Sequence, residues 1–275
     1  WMQIVNVTPD SFSGDGLLQN DSQFSISPSN LPNFLDIGAE STRPAAKTLT
    51  AIEEWERIEK TLLSLDTNSW FRPKVSIDTR NALTATKARD LGIDMINDVS
   101  GLTDPEMIEV LKSGDLDIVV MHNLGIPADP SKTIPVEENP VLVVKRFLSE
   151  KIELLDRNGI NRDRILIDPG IGFGKTANQS WYLLQHIDEL KSLGVRILVG
   201  HSRKSFLKEI DLLVLALKTT LMVYSVFLRV LQHQHWGYLS ALIDAGAGTA
   251  AHRSADNAHC VTCLLYTSPS PRDRG

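Results

Sequence analysis

Five polar side chains, each at or just after the end of an apolar run, stand out in the 275-residue sequence. They are two carboxylates, two amides and one lysine: Asp78, Asp168, Asn6, Asn97 and Lys204. Carboxylates accept hydrogen bonds from ring N–H groups and exocyclic amines, whereas amide and ammonium groups pair with ring nitrogens and carbonyls. If these side chains meet in one pocket, the set suits an amide-rich heterocycle such as a pterin or a purine.

Asp168 has the clearest local setting. It ends the apolar run 165–167 and precedes a proline and three glycines, at positions 169, 170, 172 and 174. Proline and glycine end a strand, and glycine lets the backbone come close to a ligand. We therefore expect Asp168 at a strand tip, facing a loop that can accommodate a small molecule.

Two further segments could bind an anion. Residues 40–44 read Glu-Ser-Thr-Arg-Pro and offer an arginine fork beside hydroxyl and backbone donors. Residues 200–205 read Gly-His-Ser-Arg-Lys-Ser and open a helical pattern, whose N-terminus would attract phosphate or carboxylate. His122 and His201 have no evident relay partner in the sequence, so we interpret both as structural.

The elements that must position these residues alternate between strand and helix. Seven apolar runs read as strands: 3–7, 34–37, 74–77, 94–96, 117–121, 164–167 and 195–199. Strands separated by helices predict right-handed βαβ units and a parallel sheet. Seven units with room for an eighth predict an α/β fold, a (β/α)8 TIM barrel, whose site lies at the strands' C-terminal ends. The alternative is a doubly wound open sheet, but residues 170–175 match neither of its phosphate loops.

Start and stop signals place helices between the strands. Thr50 and Glu53 form a capping box. Asp104, which precedes a proline, marks a second helix start. Two more helices are predicted over 141–157 and after a cap at Asn178.

Two regions break this pattern. The first crossover, 17–33, contains two prolines and several serines and has no helical face, although a crossover requires a helix. Beyond residue 210, the segment 223–230 is the only run that we expect could form an eighth strand. Helical spacing over 212–233 favours one long helix instead.

The domain organisation follows from these breaks. We divide the chain into a barrel, 1–231, and a non-family tail, 232–275, that is non-native or disordered and lies outside the barrel. Because Trp1 already lies inside a strand-like pattern, we expect the natural N-terminus to lie upstream.

Composition narrows the class of protein. The net charge is -6, with 23% charged residues, so no basic surface indicates nucleic acid. No apolar run has transmembrane length, so no membrane association is predicted. The sequence has only two cysteines, Cys260 and Cys263, which are too few for a disulfide framework. Their C-x-x-C spacing would supply only half of a zinc site. We predict a cytoplasmic protein.

Several motifs resemble bacterial dihydropteroate synthase. They are residues 5–13, 36–44, 76–79, 96–101, the loop after Asp168 and 201–204, in that family's order and spacing over about 2–210. The resemblance implies condensation of 6-hydroxymethyl-7,8-dihydropterin diphosphate with 4-aminobenzoate, which gives 7,8-dihydropteroate and diphosphate in folate synthesis. It also implies a (β/α)8 barrel, usually a homodimer.

The resemblance carries roles to individual residues. Asp78, Asn97, Asp168 and Lys204 would hold the pterin, with Phe173 lining the pocket. Asn6 would bind Mg²⁺, and the diphosphate would meet Thr42 and Arg43. The aminobenzoate would meet Phe12 and Pro44, with Ser205 near its carboxylate, while Arg203 and Arg229 are further substrate-binding residues. Asp78, Asp168, Lys204 and Arg43 would be catalytic through charge stabilisation, without a general base.

The chain also departs from the family pattern. Gly14 stands where an aspartate is usual, with Asp15 one residue late, and Leu231 replaces the histidine of a final Arg-x-His that begins at Arg229. Two alternatives therefore stay open. One is an inactive or ligand-binding-only homologue. The other is a pterin-dependent methyltransferase domain, which has no need for the Ser-Thr-Arg-Pro and Ser-Arg-Lys motifs.

Overall fold

The computed structural model describes residues 2–7, 32–40, 48–65, 73–129 and 131–200, and the backbone of one further strand at 262–266. Eight strands form one closed sheet in chain order. They are β1 Met2–Asn6, β2 Phe34–Gly38, β3 Lys74–Asp78, β4 Met95–Asp98, β5 Asp117–Met121, β6 Ile165–Asp168, β7 Arg196–Val199 and β8 Thr262–Tyr266. All seven strands predicted from the sequence are present, and each pairs in parallel with the next. The predicted barrel is confirmed.

The closing strand differs from the prediction. β8 runs antiparallel to both of its neighbours, β7 and β1, whereas a regular (β/α)8 barrel closes with a parallel strand. The prediction that only 223–230 could close the sheet is wrong, and the tail from 232 does not lie wholly outside the barrel. The sequence of β8, Thr-Cys-Leu-Leu-Tyr, is rich in strand-forming residues, and the open edges of β1 and β7 require a partner. The helix predicted over 212–233 and the crossover 17–33 lie essentially outside the described residues.

Five α-helices cover the outside of the sheet: α1 Ala51–Ser64, α2 Ala82–Asp90, α3 Met107–Lys112, α4 Pro140–Arg157 and α5 Ala177–Gln185. The capping box of α1 is present, because the Thr50 hydroxyl accepts from the Glu53 N–H and the Glu53 carboxylate accepts from the Thr50 N–H. Two short 3-10 helices, Arg162–Arg164 and Ile187–Leu193, lead into β6 and β7. Within the described ranges, no helix is long and apolar enough to cross a bilayer.

Two predicted helix starts are wrong by a few residues. α3 begins at Met107 rather than after Asp104. The Asp104 carboxylate accepts from the backbone N–H groups of Ala82 and Glu106, at 2.9 and 3.0 Å, and the Met107 N–H donates to the Asp104 carbonyl oxygen at 3.1 Å, which closes one turn before the helix. α5 is capped by Thr176, two residues before the predicted Asn178, and its capping box uses Gln179. In α5 the Thr176 hydroxyl takes the capping role, because it accepts from the Gln179 N–H at 3.2 Å.

The strands bury both of their faces, which explains their nearly continuous apolar sequences. Outward-facing isoleucines and valines pack against the helices in the larger core. Inward-facing residues form a separate core inside the barrel: Met2, Phe34, Met95, Val119, Leu166 and Leu198. This apolar plug fills the lower barrel, and the polar inward-facing residues lie above it.

Candidate active site

Strand register aligns three of the predicted site residues, and a fourth ends a strand on the opposite wall of the barrel. These four, Asn6, Asp78, Asn97 and Asp168, are called the ring below. Asn6 pairs with Gly38, Gly38 with Asp78, and Asp78 with Asn97, across β1 to β4. On the opposite wall, Asp168 of β6 pairs with Met121 of β5. All of these positions are the last or next-to-last residues of their strands, at the face where barrel enzymes hold their substrates.

The members of this ring differ in exposure. Asn97 and Asp168 are each 8% exposed, so both are buried just below the mouth. Asp78 is half-buried and Asn6 is exposed at the rim. Gly38 provides the space beside Asp78, since a β-carbon at position 38 would lie 3.2 Å from an Asp78 carboxylate oxygen.

Beneath the ring lies a carboxyl group that the sequence did not single out. Asp36 of β2 is 2% exposed, and it accepts from the Ser76 hydroxyl at 2.6 Å and from the Asn97 side-chain NH2 at 2.9 Å. Burial raises the pKa of Asp36, although these two hydrogen bonds oppose the change. The sequence feature that could have identified Asp36 is its charge in the middle of an otherwise apolar strand, Phe-Leu-Asp-Ile-Gly.

Several carboxyl groups lie close together around Asp78. Desolvation inside the barrel raises the pKa of Asp78 well above its usual range, and the nearby charges of Asp36, Glu54, Asp98 and Glu40 raise it further. The free pocket therefore disfavours an ionised Asp78. A ligand that brings N–H donors or positive charge would relieve this repulsion.

The glycine loop after Asp168 has a tightly defined shape. The Asp168 carboxylate accepts from the Gly170 N–H at 2.7 Å, and Gly170 has a φ of +64°. A β-carbon at Gly170 would lie 1.9 Å from the His122 carbonyl oxygen, so only glycine fits this contact between the β5 and β6 loops. Phe173, predicted to line the pocket, is half-buried in the same loop.

A buried lysine holds this loop together. The Lys175 ammonium donates to the carbonyl oxygens of Gly170 and Phe173, at 2.9 and 2.8 Å, and lies 2.9 Å from His122 Nδ1. Burial, and then the Lys175 charge, lower the pKa of His122 to about 3. The neutral ring accepts at Nδ1, and its edge packs on Phe147 with ring centroids 5.0 Å apart.

These contacts support the interpretation of His122 as structural, and its buried partner is Lys175 rather than an acidic relay residue. The sequence gives no hint of the contact with Lys175, because 53 residues separate the two. His201, the other predicted structural histidine, lies outside the described residues.

A second polar cluster includes Glu40, the one residue of the predicted anion-binding segment 40–44 that the structure describes. The Glu40 carboxylate accepts two hydrogen bonds from the Arg80 guanidinium, at 2.8 and 3.0 Å, and one from the Leu49 N–H at 3.1 Å. One carboxylate thus joins the residue that follows β2 to Arg80, which follows β3, and to the backbone just before α1. Beside it, one oxygen of the buried Glu54 accepts from the side chains of Thr79, Asn81 and Thr84. Burial raises the pKa of Glu54.

The remaining predicted site residues lie outside the described residues: Phe12, Thr42, Arg43, Pro44, Arg203, Lys204, Ser205 and Arg229. The same holds for Gly14, Asp15 and Leu231. In the part of the chain that the structure describes, no group of three acidic, histidine or cysteine side chains could hold a metal ion. Asn6, the predicted Mg²⁺ ligand, offers a single neutral oxygen at the exposed rim.

Comparison with known families agrees with this geometry. The family described as "Pterin binding enzyme" matches residues 2–249, which extends past the predicted domain boundary at 231. The chain is 40% identical over 214 residues to a probable bifunctional folylpolyglutamate synthase/dihydropteroate synthase of Halobacterium salinarum, covering 76% of this chain and 26% of that protein. It spans only about a quarter of such bifunctional relatives, 26% and 24% of two of them.

Single-function relatives are matched over most of their length. The chain is 36% identical over 220 residues to the dihydropteroate synthase of Synechocystis, covering 76% of this chain and 73% of that protein. Among solved structures, the dihydropteroate synthase of Anaplasma phagocytophilum, bound to 6-hydroxymethylpterin-monophosphate, is 33% identical, with a TM-score of 0.66 over 80% of this chain and 87% of that one. The Xanthomonas albilineans enzyme with 4-aminobenzoic acid is 30% identical, with a TM-score of 0.65 over 92% and 93%.

Proposed function

The chain belongs to the dihydropteroate synthase family of pterin-binding enzymes, and from this premise we propose that it joins 6-hydroxymethyl-7,8-dihydropterin diphosphate to 4-aminobenzoate. The products are 7,8-dihydropteroate and diphosphate, so the enzyme is a transferase of folate biosynthesis. The observation that carries the proposal is the ring of Asn6, Asp78, Asn97 and Asp168 at the C-terminal ends of strands in one closed sheet, above an apolar plug.

The chemistry of the ring supports this reaction. The bond to be broken joins the pterin methylene carbon to a diphosphate oxygen. Ionisation of this bond spreads positive charge into the heterocycle of the pterin. Asp78 and Asp168 would lie against that charge. Because neighbouring carboxylates already disfavour the ionised form of Asp78, a developing cation would be stabilised more strongly here than in a neutral pocket. The aminobenzoate nitrogen then attacks the methylene carbon, and no general base is required.

The diphosphate and aminobenzoate parts of the site remain proposals. Thr42 and Arg43 would bind the diphosphate, and Phe12 and Pro44 would cover the aminobenzoate ring. Lys204 would pair with the pterin, and Arg203, Ser205 and Arg229 with the anionic groups.

Mg²⁺ is proposed as a partner of the substrate rather than as a resident ion. Asn6 would supply one neutral oxygen, which fits an ion whose other ligands are phosphate oxygens and water, and does not fit a preformed cage. When bound, Mg²⁺ would neutralise the departing diphosphate. We expect calorimetry to detect Mg²⁺ binding in the presence of diphosphate only. Tight binding to the free protein would contradict this arrangement.

We also propose a homodimer in the cytoplasm. The dimer was predicted on condition that the barrel closes, and β8 provides the closure. The cytoplasmic location rests on the two cysteines, Cys260 and Cys263, which exclude a disulfide framework. Light scattering on the purified chain would measure its oligomeric state, and a monomer at micromolar concentration would reject the dimer.

The deciding experiment measures dihydropteroate formation by this chain from the two substrates. We expect turnover by the unmodified protein and binding of 6-hydroxymethylpterin in calorimetry. Failure to bind the pterin at all would overturn the proposed function. Pterin binding without turnover would instead support the ligand-binding-only homologue. The methyltransferase alternative is not favoured, because the relatives described above are named dihydropteroate synthases.

A further inference from the structure

One buried carboxyl group of the barrel has no part in the reaction as written. Asp36 lies two residues before Gly38 in β2, one layer below the ring, opposite Ser76 of β3 and Ile4 of β1. The rest of the barrel interior at this depth is largely apolar. A carboxyl group at 2% exposure costs several kcal/mol unless both of its oxygens are bonded.

Both oxygens of Asp36 have partners, and one partner belongs to the ring. Oδ1 accepts from the Ser76 hydroxyl at 2.6 Å, and Oδ2 accepts from the Asn97 side-chain NH2 at 2.9 Å. A carboxylate can only accept, so it selects the nitrogen end of the Asn97 amide. The oxygen end of that amide is therefore turned away from Asp36 and its layer.

We propose that Asp36 is a positioning residue that sets which end of the Asn97 amide is offered to the bound heterocycle. Asn97 then presents its oxygen as an acceptor for a ring N–H or exocyclic amine. This inference rests on the proposed function and adds a determinant of ligand choice. A site that presents an acceptor rejects an analogue that brings another acceptor to the same place, since both lone pairs stay unpaired.

Asp36 could instead act on the ligand through Asp78. Its charge contributes to the raised pKa of Asp78, so removing that charge would make Asp78 ionise at lower pH. An ionised Asp78 is a stronger acceptor for ligand N–H groups. This electrostatic route predicts unchanged or tighter binding when Asp36 is neutralised, whereas the positioning route predicts weaker binding. The two routes therefore differ in sign.

A double-mutant cycle separates a positioning role from a general structural one. Calorimetry measures the Kd of 6-hydroxymethylpterin for the unmodified chain, Asp36→Asn, Asn97→Ala and the double variant. An asparagine at 36 can turn either amide end toward Asn97, so the restraint is lost. We expect Asp36→Asn to weaken binding roughly 10- to 100-fold. In the Asn97→Ala background the same change should alter Kd less than about threefold. Equal losses in both backgrounds would overturn the proposal.

Ser76→Ala is the matched control, because it removes the other hydrogen bond of the same carboxyl group and leaves Asn97 untouched. We expect this variant to keep its pterin affinity within about threefold, since the lost bond is not to the amide. A loss equal to that of Asp36→Asn would show that Asp36 matters only for packing, and would overturn the proposal.

A second readout does not depend on how much of a variant is folded. It is the ratio of Kd values for 6-hydroxymethylpterin and for its 2,4-dioxo analogue, 6-hydroxymethyl-lumazine, in which oxygen replaces the 2-amino group. The unmodified chain should prefer the pterin, and Asp36→Asn or Asp36→Ala should reduce that preference at least about tenfold. An unchanged ratio would overturn the proposal. If the unmodified chain bound neither compound, the proposed function itself would fail.

Discussion

Replacing Lys175 with methionine would test whether one buried ammonium group joins the β5 and β6 loops. Lys175 is 8% exposed and bonds to the carbonyl oxygens of Gly170 and Phe173 and to His122 Nδ1. Methionine retains most of the apolar stem but cannot donate. The perturbation therefore removes three hydrogen bonds while it leaves the packing nearly intact.

The expected cost follows from these three acceptors. A buried acceptor that loses its donor costs about 1–3 kcal/mol, so three would cost roughly 3–9 kcal/mol. The methionine variant no longer desolvates a buried ammonium group, which returns several kcal/mol. We expect a net loss of about 2–4 kcal/mol in the free energy of unfolding, a large share of the roughly 5–15 kcal/mol of a typical domain. The pKa of His122 should also rise, because the Lys175 charge helps to lower it.

Urea unfolding followed by far-UV circular dichroism measures this loss. The control is Lys112→Met, since Lys112 is exposed and pairs only with the exposed Glu109, at 2.9 Å. That control should change the free energy of unfolding by less than about 0.5 kcal/mol. Equal urea midpoints for the two variants would refute the assignment of Lys175 as the group that joins the loops.

Three further predictions concern the same region. Between pH 6.5 and about 3 the unfolded chain protonates His122 while the folded chain does not, so the free energy of unfolding should fall by up to about 1.4 kcal/mol for each pH unit by which the pH is lowered. Urea titrations at several pH values measure this slope. His122→Asn should reduce the slope, and an unchanged slope would be contrary evidence. Gly170→Ala should prevent normal folding, because its β-carbon would overlap the His122 carbonyl oxygen. The control Gly92→Ala, also at positive φ but in open space, should lower the free energy of unfolding by only about 1 kcal/mol in thermal melts. Similar melts for the two variants would disprove the overlap. Asp168→Ala should lose turnover chiefly through weaker pterin binding, measured by calorimetry, while the exposed Asp129→Ala should not; normal pterin affinity in Asp168→Ala would contradict its proposed role.

The strands of the barrel were predictable because their signal is local. A parallel strand that is buried on both faces reads as a short apolar run, and the polar residue at its end marks the mouth. Asp78, Asn97 and Asp168 could therefore be placed at strand ends from the sequence alone. The pairing of neighbouring strands then places Asp78 opposite Asn97 and places Asp168 opposite Met121 on the other wall.

The features that the sequence did not reveal depend on distant partners. Asp36 is bonded to residues 40 and 61 positions away, and no local pattern separates it from an ordinary strand residue. The Asp104 carboxylate also accepts from the Ala82 N–H at the start of α2, a contact across 22 residues that no local pattern shows. The closing strand was missed for a related reason. An open sheet edge can pair with any extended segment, and local periodicity does not indicate which segment pairs with it.

The position of β8 in the chain has a consequence for how the protein is made. Seven strands are complete once Val199 has been synthesised, but the strand that joins β7 to β1 ends only at Tyr266. At roughly 5–20 residues per second, the nascent chain spends several seconds with two sheet edges unpaired. Those edges are templates for pairing with other chains. Expression yield should therefore depend on chaperone supply and on slow growth, and on whether ribosomes reach Tyr266 without stalling.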